Sequence, residues 1–161
     1  MQSSIMDTVK AISRRTEDYR FSTRLRVRFA ETDTQGVAHH ASFLVYMEAA
    51  RVAYFRALGW DFAQVRRESG LDIVIAQAGC RYLSPAAFDD ELEIGVRASE
   101  VKRASFQFDY LVRQVTTRRA VALGRTLQVM VDGQSRRPCA LQPELRQALL
   151  QFECQSSLKP K

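Results

Sequence analysis

From Phe21 to Ala30 apolar and polar residues alternate, with Phe21, Leu25, Val27 and Phe29 on one face and Arg24, Arg26 and Arg28 on the other. A period of two with one basic face predicts a half-buried β-strand. The period then changes. Between Ala41 and Leu58, Phe43, Met47, Ala50 and Tyr54 recur at helical spacing, Leu44 and Phe55 lie beside that stripe, and Ala49, Ala53 and Ala57 add small residues around the circumference. This predicts one long helix suited to deep burial against a sheet, and Gly59 supplies its stop. A shorter helix is expected over Asp61–Glu68. Four apolar or alternating runs then predict consecutive strands: LDIVIAQAGCRYL, ended by Ser84-Pro85; ELEIGVRASEV; SFQFDYLVRQV; and RAVALGRTLQVMVD, before the turn GQSRRP. A helix over Gln142–Phe152 closes the pattern. A strand, a long helix and four strands in succession make an α+β domain, a buried helix wrapped by an antiparallel sheet.

A chain of 161 residues with 46% hydrophobic content fits one domain with a real core. We expect a loose N-terminal extension over 1–20, the domain over 21–153 and a tail over 154–161. No run approaches the roughly 18 apolar residues that span a bilayer. The first twenty residues lack the apolar centre of a signal peptide and contain Asp7, Glu17 and Asp18, so a cytoplasmic protein is expected. Cys80, Cys139 and Cys154 are odd in number and have no CxxC spacing, which argues against a disulfide framework and a zinc site. Cys80, in an apolar run, reads as a small buried hydrophobe. The net charge of +6 attracts anions, but the basic residues are spread and no nucleic-acid motif is present. A merely solvated basic surface is the first expectation, an anionic small ligand the next, and nucleic acid the last.

Candidate chemistry is concentrated in RFAETDTQGVAHHASFLVYMEAAR, Arg28 to Arg51. A carboxylate before a helix can act as nucleophile or general base. The first N–H groups of the helix are unsatisfied and carry about half a positive charge, so they can polarise a carbonyl. Gly36 allows a sharp turn and close approach of a substrate. Glu31 and Asp33 lie two apart and would point the same way in an extended loop. From the residues alone, Asp33 can equally be a loop-ordering side chain. His39 and His40 are adjacent and lack an HExxH pattern, so no metal site is expected.

ETDTQGVAHHASF, with YMEAARVAYFRALG and CRYLSPAAFDDELEI, resembles the hotdog-fold acyl-CoA thioesterases, nearest the 4-hydroxybenzoyl-CoA thioesterase family and its Tol–Pal-associated branch. The likeness runs from about Leu25 to Pro143. It implies hydrolysis of an acyl or aroyl thioester to free acid and coenzyme A. Asp33 then matches the catalytic aspartate, the backbone N–H of His40 is the carbonyl-polarising donor, and Glu31 is a solvated or supporting residue. The resemblance also implies a site between two subunits, hence a homodimer or homotetramer, and no cofactor beyond the coenzyme A of the substrate. The carrier would be coenzyme A or acyl carrier protein. Its phosphates call for cations: Lys102 and Arg103 at the SEVKRAS turn come first, then Arg136 and Arg137. The chain departs from the family where Ala38 replaces a larger aliphatic residue, His39 an aromatic, and Phe43 a frequent tyrosine, whose hydroxyl is therefore missing.

Two other readings compete. A hotdog hydroxyacyl dehydratase would pair His39 or His40 with the helix carboxylate Glu48. A non-catalytic domain would bind an acyl thioester without turning it over.

Overall fold

The computed structural model describes residues 9 and 11–154 of the chain. Strand β1 (Phe21–Arg26) is followed by helix α1 (Ser42–Ala57), helix α2 (Phe62–Ser69), β2 (Leu71–Tyr82), β3 (Glu91–Val101), β4 (Ser105–Gln114), β5 (Ala120–Asp132) and helix α3 (Pro143–Cys154). The strands form one antiparallel sheet in the order β1-β3-β4-β5-β2. The chain therefore crosses from the edge strand β2 to β3 on the other side of the sheet, so β2 and β1 are both edges.

Helix α1 lies on the inner face of this sheet. Phe43, Tyr46, Met47, Ala50, Tyr54 and Phe55 are its buried side, and Phe106, Phe108, Tyr110 and Val112 of β4 meet them. Aromatic rings pack edge to face there, with centroids 4.9 Å apart for Tyr54 and Phe108 and 5.5 Å for Phe55 and Phe108, the geometry that the ring quadrupole favours. Each such burial contributes roughly 1.5–3 kcal/mol. Close approach of α1 to β5 depends on a missing side chain: a Cβ on Gly124 would stand 2.2 Å from Met47 Cε, so glycine leaves the space that the thioether fills.

Three sequence expectations change. β1 ends at Arg26 because Val27 turns away to exchange backbone bonds with Asp89 and Asp90. A 3-10 turn over Phe29–Glu31 follows, and Phe29, expected on the buried face, is 77% exposed. Leu44, expected beside the buried stripe of α1, is 44% exposed, because a single sheet covers only one side of the helix. The third concerns residues 11–20. Expected as a loose extension, they pack on the outer face of the sheet, where Val9, Ile12 and Tyr19 are buried with Leu111 and Leu123. Tyr19 donates to the Ser13 carbonyl (2.7 Å) and stacks under the Arg97 guanidinium. Beneath it Asp109, fully buried, accepts from Arg125 (2.6 and 3.0 Å) and Arg97 (3.3 Å), as a carboxylate removed from water must. The expected extension over 1–8 and the tail over 155–161 lie outside the described residues; Cys154 ends α3.

Candidate active site

The chain between β1 and α1 forms a short hairpin. Asp33 N–H donates to the Val37 carbonyl (2.9 Å), Gly36 N–H donates to the Asp33 carbonyl (3.0 Å), and Thr32 bridges to Ala38. Gly36 sits at φ +75°, a left-handed conformation that side chains disfavour. A Cβ there would meet nothing within 4 Å, so the turn, not close packing, asks for glycine. The hairpin is fixed to the segment after β2: Ala38 N–H donates to Ala86 O (2.7 Å), and Val37 bridges to Ala87. The Asp33 carboxylate accepts from Gln35 N–H through Oδ1 (2.8 Å). One oxygen thus orders the loop, and Oδ2 has no protein donor among the described residues.

Helix α1 begins just beyond. Its N-cap residue, Ala41, has no side chain to cap the first turn, and the positive end of a helix of roughly 24 Å lies here. The peptide joining His39 to His40 is held on its carbonyl side, where His39 O accepts from Ser42 N–H (2.9 Å). A trans peptide then directs the His40 N–H the opposite way, and that N–H has no partner among the described residues. The next carbonyl is also pinned, since Tyr82 Oη donates to His40 O (2.9 Å). An unpartnered donor between two fixed carbonyls is pre-oriented.

Asp33 and His40 line one cleft of about 370 Å³, together with Val37, Ala38, Phe43, Tyr82 and the 83–86 segment. Its volume falls within the usual range for small-molecule sites. The wall is aromatic: Tyr82 meets Phe43 edge to face at 5.4 Å and His40 at 6.5 Å. Phe43 lacks a hydroxyl, yet a tyrosyl hydroxyl stands at the helix entrance after all, delivered by β2. Burial, then neighbouring Cys80, pushes the Tyr82 hydroxyl up to about 12, so it remains a donor. Burial likewise pushes the Cys80 thiol up to about 11, which removes it as a nucleophile at neutral pH.

Other candidates fall elsewhere. His39 turns back on the chain, its Nδ1 accepting from Ala41 N–H (3.2 Å). Glu48 is exposed on α1 and does not line the cleft, so the pairing a dehydratase needs is not assembled within the chain. No group of three or more His, Cys, Asp or Glu that could hold a metal occurs among the described residues. Lys102 and Arg103 occupy the β3–β4 turn, and Arg136 and Arg137 follow β5. Both lie at the end of the sheet opposite the hairpin, which adjoins the start of β3 through Val27 and Asp90. Lys102 pairs with Glu100 (3.2 Å) and Arg136 with Asp72 (3.1 Å). Within one chain the structure brings Asp33 and His40 together and leaves these four cations apart. Tyr82 escaped the sequence reading. The signal was its place two residues after Cys80, at the end of a strand that stops before Ser84-Pro85.

Comparison with known proteins places the chain among thioesterases. The chain is 32% identical over 132 residues to the acyl-CoA thioesterase YbgC of Haemophilus influenzae, covering 81% of this chain and 95% of that one. It is 32% identical over 136 residues to a 1,4-dihydroxy-2-naphthoyl-CoA hydrolase of Synechococcus elongatus, covering 84% and 96%. A crystal structure of a Thermus thermophilus thioesterase complexed with coenzyme A and zinc superposes with a TM-score of 0.73 at 29% identity, over 85% of this chain and 96% of that one. The model of the thioesterase-like superfamily matches residues 27–149, so the chain belongs to that superfamily and is a thioester hydrolase on a hotdog fold.

Proposed function

We propose that the protein hydrolyses an acyl-CoA or aroyl-CoA thioester, with Asp33 as nucleophile or as the base that activates water. The observation that carries this reading is the meeting, in one aromatic-walled cleft, of a carboxylate and a helix-start N–H, with Oδ2 of the one and the N–H of the other unpartnered among the described residues. The thioester carbonyl oxygen is placed against the His40 N–H, where the helix dipole favours developing negative charge. Attack forms a carbon–oxygen bond, the carbon–sulfur bond breaks, and the electron pair leaves with the coenzyme A sulfur. Water supplies the oxygen and the protons of the products, a carboxylic acid and a thiol. No cofactor is needed, and coenzyme A enters as part of the substrate.

The active unit in this reading is a homodimer or homotetramer. The outer edge of β2 has no strand partner among the described residues, and Ile75 on it and Leu44 and Val45 on α1 are 43–56% exposed. An oligomer also offers a way to bring Lys102, Arg103, Arg136 and Arg137 of a second chain toward the substrate phosphates. The test is thiol release from aromatic, short-chain and long-chain acyl-CoAs by wild type and Asp33→Asn. Turnover of one acyl class is expected, with kcat at least about 100-fold lower in the folded variant. A variant that keeps wild-type turnover would remove Asp33 from the mechanism.

A further inference from the structure

Glu31 lies just outside the cleft lining, between β1 and the hairpin that carries Asp33, and the catalytic reading has no use for its carboxylate. Its side chain is only 12% exposed. Oε1 accepts from Arg28 Nε (2.8 Å) and Nη2 (2.5 Å), while Oε2 accepts from the Arg28 backbone N–H (2.9 Å) and from the Tyr46 hydroxyl (2.8 Å). Tyr46 is itself buried in the second turn of α1. The Glu31 carbonyl accepts from His39 N–H (2.8 Å) and Ser42 Oγ (3.2 Å), one residue before His40 and at the first residue of α1. Two residues further along the chain lies Asp33. One residue therefore binds the strand end through Arg28, the helix through Tyr46 and Ser42, and the loop between them through His39.

We infer that Glu31 is a positioning residue that sets the spacing between the Asp33 carboxylate and the His40 N–H. The inference rests on the thioesterase reading of those two groups. The spacing needs such a device because Asp33 rides on a hairpin anchored to the 86–87 segment and His40 on a helix entrance anchored to Tyr82, two separate supports. A displacement of about 1 Å between a reacting group and its partner costs on the order of 100-fold in rate. A partly buried carboxylate suits this role, because its contacts tie Arg28 on one side to Tyr46 on the other and, being charge-assisted, are stronger than neutral ones. Ionised Glu31 is held by these donors; burial alone would raise its pKa, but the Arg28 backbone and guanidinium and the Tyr46 hydroxyl outweigh it and lower it.

The test uses the full chain with Glu31→Gln, which keeps the shape but loses the charge, and Tyr46→Phe, which deletes only the bond to the helix. Steady-state kinetics on whichever thioester the wild type hydrolyses are read beside the thermal midpoint and amide hydrogen exchange. We expect kcat to fall about 10- to 100-fold in Glu31→Gln and about 10-fold in Tyr46→Phe, with KM within about 2-fold of wild type. Faster exchange is expected only over residues 32–42. Unchanged kcat in both variants overturns the inference, as does loosening spread across the strands with a general loss of stability, which marks a merely structural role. A wild type that releases no thiol from any thioester defeats the thioesterase reading separately. Exchange then decides for Glu31: faster exchange confined to 32–42 supports its hold on the loop, and unchanged protection there refutes it.

Discussion

In the proposed reaction, each contribution around the thioester carbonyl falls to one atom. Asp33 Oδ1 is used by the loop and Oδ2 is left for chemistry. The loop-ordering and the proposed reactive role are therefore compatible, because one side chain has an oxygen for each. The His40 N–H acts through geometry that its neighbours impose, and Tyr82 is the neighbour from outside the loop. Tyr82→Phe keeps the ring wall and removes the bond to His40 O. A net hydrogen bond of about 0.5–1.5 kcal/mol predicts a kcat lower by roughly 2- to 10-fold with KM little changed, measured on the preferred thioester. An unaltered kcat would mean that Ser42 alone fixes the peptide. The raised pKa also has a sign. The protonated hydroxyl is favoured in the fold, so its stabilisation is complete below pH 10 and fades as pH rises through about 12.

Among the elements, the outer face of the sheet is as deliberate as the inner one. β4 buries Phe108 and Tyr110 toward α1 and Asp109 and Leu111 toward residues 11–20. Strand alternation thus becomes a nearly continuous buried run, as it does wherever both faces are covered. Gly95 in β3 makes room for the covering segment, since a Cβ there would stand 2.9 Å from Tyr19 Cγ and 3.0 Å from its Cβ. Those atoms are close to the Tyr19 backbone and cannot swing aside as a flexible side-chain tip would. Gly95→Ala should therefore lift residues 11–20, costing about 1–3 kcal/mol and opening that segment to proteolysis in a denaturation and limited-digestion comparison. Wild-type stability and digestion would show that the segment can shift without loss.

For the whole molecule, the decisive question is how many chains make a site. The cations expected to hold the substrate phosphates lie at the far end of the sheet from Asp33. Assembly along the β2 edge would remove the problem and cover Ile75, Leu44 and Val45. Light scattering is expected to give a dimer or tetramer, and Ile75→Glu to yield a monomer with little turnover. In the intact oligomer, Arg103→Ser should raise KM for an acyl-CoA but leave KM for the same acyl-pantetheine unchanged, because only the former carries the nucleotide phosphates. A fully active monomer would refute the shared site.

The order of elements, the α+β class and the stretch that holds the candidate site were legible in the sequence, because helical and strand periods, Gly36 and the carboxylate before the helix are local signals. The end of β1 was not: Phe29 keeps the strand alternation, yet Val27 finds its bonding partners in Asp89 and Asp90, some sixty positions away. The same holds for residues 11–20, whose few apolar side chains gain value only from the outer face of β4 and β5. Tyr82 and Glu31 acquire their roles through hydrogen bonds to His40 and Tyr46. Sequence patterning determined which faces must be buried; tertiary structure decided what covers them and which atoms meet, because packing and hydrogen bonding join residues that local periodicity cannot relate.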